Sequence, residues 1–304
     1  MILQPIMDGL VNGAIIGLGA IGVTLTYAIL RFANFAHGEL LSWGAYLALT
    51  VSGALGALLP GLGTPLGPFS FGWSVPIAMA GSIMLTAALA LAVDWLLFGR
   101  LRRSGAVTII LVMASFGAAL ALRNLLEFAY TSSPKYFSNA LQISREILPG
   151  LRATPDQLLV VALGVVLVVL VHLLLTRTAA GRSMRAVSED PQLSALVGID
   201  TRAVIRMVWV LGAALAAVAG IMSGVVVQIR PTMGHDLLLP LFAAAILGGI
   251  GSVPGAMLAG LIVGLAEALT VQLIGAEWRA AVSFVILVAV LLLRPQGIFG
   301  KVTA

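Results

Sequence analysis

Apolar residues in this chain fall into long unbroken blocks, not the alternation of strands or the narrow stripe of a surface helix. The blocks cover about 9–30, 38–59, 73–98, 106–127, 157–176, 203–228, 252–274 and 280–293. A spanning helix needs roughly 20 such residues, so the blocks predict membrane-crossing helices. A shorter block at about 237–250 reads either as a short span or as a half-helix that enters and leaves on one side. The longest polar connections, about 128–156 and 177–202, hold no soluble domain. The pattern predicts one all-α, polytopic transmembrane domain over residues 1–304.

The basic residues turn this pattern into a topology. Arg31, Arg100, Arg102, Arg103, Arg177, Arg182, Arg185, Arg202, Arg206, Arg294 and Lys301 fall on one side of the predicted spans. Lys135, Arg145, Arg152, Arg230 and Arg279 fall on the other, and Arg123 lies inside a run. The richer side is expected to be cytoplasmic. The grouping holds only if 237–250 counts as a crossing, which gives nine spans. It places the N-terminus outside and the C-terminus in the cytoplasm.

Composition agrees: 60% of residues are hydrophobic and 10% charged, against about a quarter charged in soluble domains. The net charge of +5 would suggest nucleic acid in a soluble protein. Here it reads as membrane orientation, with lipid as the partner and no nucleic acid. Cysteine is absent, which excludes disulfides and thiolate chemistry. Met1 to Asp8 lacks the basic start of a signal peptide, so the first run is expected to stay in the mature chain. The 34 glycines cluster within spans, where small residues let helices approach closely or slide. Arg123 and Asp94 lie toward the ends of their runs, where snorkelling accounts for them.

Several chemistries have no residues to carry them. Gly300-Lys301 lacks the upstream glycine of a phosphate-binding loop. His37, His172 and His235 are scattered and offer no metal spacing. No nucleophile elbow occurs. Catalytic residues, metal ligands and a cofactor of the chain's own are not expected.

Three segments are informative. The first runs from Arg31 to Glu39 and packs Asn34, His37, Gly38 and Glu39 between two apolar runs. It reads as a capped turn at the membrane surface, or as a broken helix whose freed polar groups line a pathway or gate. The second runs from Gly181 to Gly198 and holds Arg182, Arg185, Ala186, Glu189, Asp190 and Pro191. Asp190 before Pro191 is a strong helix start and Gly198 a natural stop. A short helix over 191–197, preceded by another, reads as a segment resting on headgroups or as a surface helix that takes force from a partner. The third carries Gly248, Gly249, Gly251, Pro254 and Gly255, then Glu267 inside the next run. Such a break is tolerated only against protein or a water-filled cavity. An intramembrane carboxylate is either hydrogen-bonded for structure or part of transport.

At these segments the sequence resembles the LivH-type branched-chain amino acid ABC transporter permeases. The resemblance rests on Asn34-Phe-Ala-His-Gly38 with Gly44-Ala-Tyr46, on Gly181 to Gly198, and on Gly248-Gly-Ile-Gly-Ser-Val-Pro-Gly255, in the family's order across most of the chain. Leu41-Ser42-Trp43 is less apolar than the family's pattern there. The resemblance implies a fold similar to type II ABC importers and an inner-membrane location. It implies a LivM-type second permease, two cytoplasmic ATPases that hold ATP and Mg, and a periplasmic substrate-binding protein. Transport would be alternating access, with the ATPases pushing on 181–198. Relatives that carry urea or short amides share these signatures. A secondary transporter would need coupling-ion sites at the midplane; a channel and a membrane enzyme are further alternatives.

Overall fold

The computed structural model describes residues 3–64, 66–138, 143–294 and 296–299; Gly300 and Lys301 lie outside them. Among the described residues, twelve α-helices follow one another: α1 (Leu3–Leu30), α2 (His37–Leu58), α3 (Ser74–Val93), α4 (Gly99–Arg103), α5 (Thr108–Tyr130), α6 (Pro155–Arg177), α7 (Ala179–Glu189), α8 (Pro191–Leu196), α9 (Thr201–Val226), α10 (Met233–Gly248), α11 (Val253–Leu273) and α12 (Arg279–Leu293). A wider π turn at Asp94–Phe98 makes α3 and α4 one continuous rod, Ser74–Arg103. A two-stranded hairpin, β1 (Arg145–Leu148) and β2 (Leu151–Ala153), sits in the connection before α6. Eight of these rods are long and apolar enough to cross a membrane.

α10 is shorter than these eight. It has 16 residues, about 24 Å of helix, which is short for a hydrocarbon core of about 30 Å. Its first turn lines a cavity with Asn12 of α1. The turn just past its end donates the Gly251 N–H to Thr24 Oγ1 at 2.7 Å. α10 therefore descends beside α1 by about 18 Å and does not return to its starting level.

Among the described residues, the two groups of basic residues lie at opposite ends of the bundle, as their order predicted. At the basic end Arg31, just past α1, donates to the carbonyls of Ser188 and Glu189 in α7 at 3.2 and 3.0 Å. Phe98 stacks there between Phe32 and Trp209. At the opposite end Gln4 exchanges two hydrogen bonds with the Arg152 backbone, each 3.1 Å.

α1 forms the centre because its glycines let other backbones reach it. A Cβ on Gly9 would fall 2.8 Å from Leu265 Cα, and one on Gly13 would fall 2.7 Å from Leu261 Cα. Gly260 and Gly264 of α11 return the fit against Gly17 and Gly13. α9 uses Gly220 against the Leu41 carbonyl in the same way. Hydrocarbon gives helices no hydrophobic reason to associate, so close backbone packing supplies much of the cohesion.

Candidate functional site

α2 does not start at the end of α1. The His37 ring rests 2.7 Å from where a Gly22 side chain would begin, and Gly22 lies eight residues, about 12 Å, before the end of α1. Residues 32–36 turn back into the bundle, and Asn34, His37 and Glu39 are all buried. The Asn34 side chain holds the turn by accepting from the Ala36 N–H at 3.1 Å. Gly38 and Gly234 pack backbone to backbone, joining α2 to α10. The departure at Ser42-Trp43 has a use: Ser42 Oγ accepts from Gly234 N–H at 2.9 Å, and Trp43 Nε1 donates to the Leu122 carbonyl at 3.1 Å.

Arg123 corrects the snorkelling expectation. Its Nε and Nη2 both face Glu39 Oε1 at 3.4 Å, with side-chain exposures of 19% and 2%. Glu39 Oε2 and Asn34 Nδ2 are buried with no hydrogen-bond partner among the described residues. Asp94 is corrected likewise. It is bound by Arg102 at 2.7 Å, about two turns further along the same rod, and does not reach for water alone. No sequence signal pairs residues on helices 84 positions apart, and Arg123 was legible only as a charge inside a run.

The 248–255 break lies at the basic end and is satisfied by protein. Gly249 and Gly251 take left-handed φ values of 91° and 87°, which favour glycine. Ser252 caps α11 by accepting from Gly255 N–H at 3.2 Å. Ile298 and Phe299 donate to the freed carbonyls of Leu247 and Gly248 at 2.8 and 3.3 Å. Gly248 and Gly255 are buried against each other, while Gly251 and Pro254 are exposed. Both candidate pathway segments thus meet the last third of α1, at different depths.

Glu267 is buried near the opposite end. It accepts from Arg279 Nε at 2.8 Å and from Ser283 Oγ at 2.6 Å, which ties α12 to α11. Beside it lies a cavity of about 550 Å³ that also meets Asp8, Asn12 and Gln157. The sequence marked Glu267 but not this polar surrounding.

The 181–198 segment is built as its caps predicted. Asp190 Oδ1 accepts from the N–H groups of Gln192 and Leu193 at 2.8 and 3.0 Å, Pro191 opens α8, and Gly198 closes it at φ 88°. Gly181 is buried against Leu175, and Arg185 donates to the Leu175 carbonyl, locking α7 onto the end of α6. Ala186 is half-buried, and Arg182 and Glu189 are exposed. Arg185 therefore braces the segment. The outward groups are Leu196 and Val197, exposed by 84% and 70%, with Leu193 beside them. These three were not singled out from the sequence.

Residues 6–291 match the family described as branched-chain amino acid transport system / permease component. The chain is 33% identical to the high-affinity branched-chain amino acid transport system permease protein BraD of Pseudomonas aeruginosa, over 98% of this chain and 96% of that one. It is 32% identical to the permease protein LivH of Escherichia coli over the same shares. Among solved structures, PsaBC from Streptococcus pneumoniae in complex with Fab has a chain that superimposes with a TM-score of 0.50 at 12% identity, covering 96% of this chain and 92% of that one. That likeness concerns the fold alone. The chain is a multi-pass integral membrane protein and belongs to the branched-chain amino acid transport system permease family.

Proposed function

We propose that this chain is the permease subunit of an ATP-driven importer of branched-chain amino acids, with Leu3 at the outer end and the basic end in the cytoplasm. The permease relatives carry that substrate class in their names. The chain's own residues supply no nucleotide site, so energy must enter through contact with separate ATPases that hold ATP and Mg. The carrying observation is the α7–α8 pair, braced on α1 by Arg31 and on α6 by Arg185, yet presenting Leu196 and Val197 to solvent. Exposed apolar groups on a rigid support suit a docking surface. Force applied there reaches α1, which packs on α6, α9, α10 and α11.

A LivM-type second permease completes the pathway in this reading, and a periplasmic binding protein delivers substrate at the outer end. The face shared by α2, α5 and α10 supports the position of the pathway. Phe35 meets Phe116 of α5 and Phe242 of α10 there. Asn34, His37, Gly38 and Glu39 stand next to it, with Asn34 Nδ2 and Glu39 Oε2 among the buried polar atoms still unpartnered among the described residues. Lipid cannot satisfy such groups, whereas a water-lined path can.

With the partner subunits present, Leu196→Asp/Val197→Asp should cut uptake and substrate-stimulated ATP hydrolysis at least tenfold at normal membrane levels. Unchanged uptake and hydrolysis after replacing 181–198 by a Gly/Ser linker would overturn the docking role. Orientation has its own check, made clean by the absence of cysteine. Single cysteines at Ser104 and Ser188 should be shielded from an impermeant thiol reagent outside intact cells, while one at Ser138 should react.

A further inference from the structure

At the basic end, α6, α7 and α9 enclose a groove of about 440 Å³. Its walls are Leu174 of α6, Ala180 and Met184 of α7, and Met207 and Val210 of α9, with Arg206 as its one charged lining group. Two of the wall residues are methionines, whose unbranched thioethers adapt to an apolar guest of variable shape. Leu173 and Val210 beside the groove are exposed, so it opens on the apolar flank of the bundle, away from Leu196 and Val197.

Arg177 ends α6 three residues after Leu174, on the same helix face. Arg206 stands five residues into α9, about 8 Å from its start, one turn before Val210. Both guanidiniums are exposed. Neither is within 4.0 Å of a carboxylate or donates a side-chain hydrogen bond among the described residues; the ion pairs there belong to Arg102, Arg123, Arg230 and Arg279. One unpaired cation lining an apolar slot, with a second one turn past its α6 wall, matches an anion carrying an acyl chain.

We propose that this groove binds one anionic phospholipid, with an acyl chain along Met184 and Met207 and the phosphate on Arg177 and Arg206. Because α7 forms one wall, the bound lipid holds the docking pair against α6 and α9. A protein occupant suits the site less, since the opening faces the hydrocarbon flank.

Native mass spectrometry tests this on the full chain in mild detergent, supplied with equal amounts of dioleoyl phosphatidylglycerol and dioleoyl phosphatidylcholine. The expected result is retention of one phosphatidylglycerol with at least tenfold preference. Arg177→Gln/Arg206→Gln should lower that retention at least tenfold, while Arg145→Gln at the opposite end should not change it. Met184→Trp, which fills the slot, should abolish retention with both arginines in place. The exposed arginine pair keeps the fold intact, so that variant decides the matter even where Met184→Trp fails to fold. Equal retention of the two lipids, retention insensitive to the arginine pair, or a co-purifying peptide in place of lipid would each overturn the proposal.

Discussion

Helices α1, α9 and α11 at the centre and helices α5 and α12 at the edge are held by different physics. The central helices touch backbone to backbone, through Gly9, Gly13, Gly17, Gly220, Gly260 and Gly264. α5 instead meets α2 through polar contacts two helical turns apart. Ser115 Oγ accepts from Phe35 N–H, Arg123 and Trp43 bind across the middle, and Tyr130 meets Thr50 at 2.6 Å. α12 is fastened by Arg279 and Ser283, one turn apart, to a single carboxylate. Glycine packing cannot be adjusted without moving a backbone. Polar contacts can be remade one at a time. In a transporter that changes shape, the first arrangement suits a body that transmits force and the second suits helices that shift against it.

The largest effect should come from Arg123. Arg123→Leu leaves the Glu39 carboxylate buried and unpaired, a loss of about 3–5 kcal/mol for a buried pair broken on one side. Thermal unfolding of the purified chain measures it. Glu39→Leu/Arg123→Leu should recover most of that stability, because a buried pair replaced by apolar groups is often neutral. If the double variant is stable but fails in uptake, the pair serves the pathway. If both stability and uptake return, it serves attachment alone.

A side chain at Gly13 tests the centre. Gly13→Val would press on Leu261 Cα and the Gly260 carbonyl, and overpacking costs roughly 1–3 kcal/mol. No partner substitution relieves the two nearest contacts, since both are with main-chain atoms. A compensating change in α11 that restored stability would show that the central packing is as adjustable as the edge.

This difference also governs how much the sequence revealed. Block lengths gave the eight long apolar helices and the distribution of arginine the two ends, because both follow from the bilayer itself. Asp190, Pro191 and Gly198 predicted α8 almost to the residue, because caps act on their immediate neighbours. The break around Gly249 and Gly251 was legible for the same reason. Contacts between distant segments were not. Arg123 and Asp94 read as snorkelling charges until packing brought Glu39 and Arg102 to them. The inward start of α2 was equally hidden, since nothing local distinguishes a turn at the end of the bundle from one folded back into it. The outward placement of Leu196 and Val197 depends on which face α7 and α9 cover, which no local pattern encodes.

The smallest effect separates the two edge helices. Both of their ion pairs join a carboxylate that is almost wholly buried to an arginine, but Arg279 is 42% exposed where Arg123 is 19% exposed. Removing the carboxylate of α11 therefore frees a guanidinium that already reaches water. Glu267→Gln keeps an acceptor for Ser283 and should cost about 1 kcal/mol or less, the net value of a typical hydrogen bond. Glu267→Leu leaves the buried Ser283 hydroxyl without its acceptor and should cost about 1–3 kcal/mol. Arg279→Leu should be worse than Glu267→Gln, because the buried charge is then the one left behind. Thermal unfolding of the three variants gives the order directly. Uptake that falls for Glu267→Gln while its stability holds would assign the carboxylate to transport, and the cavity bounded by Asp8, Asn12 and Gln157 would then be the place to look for what it meets.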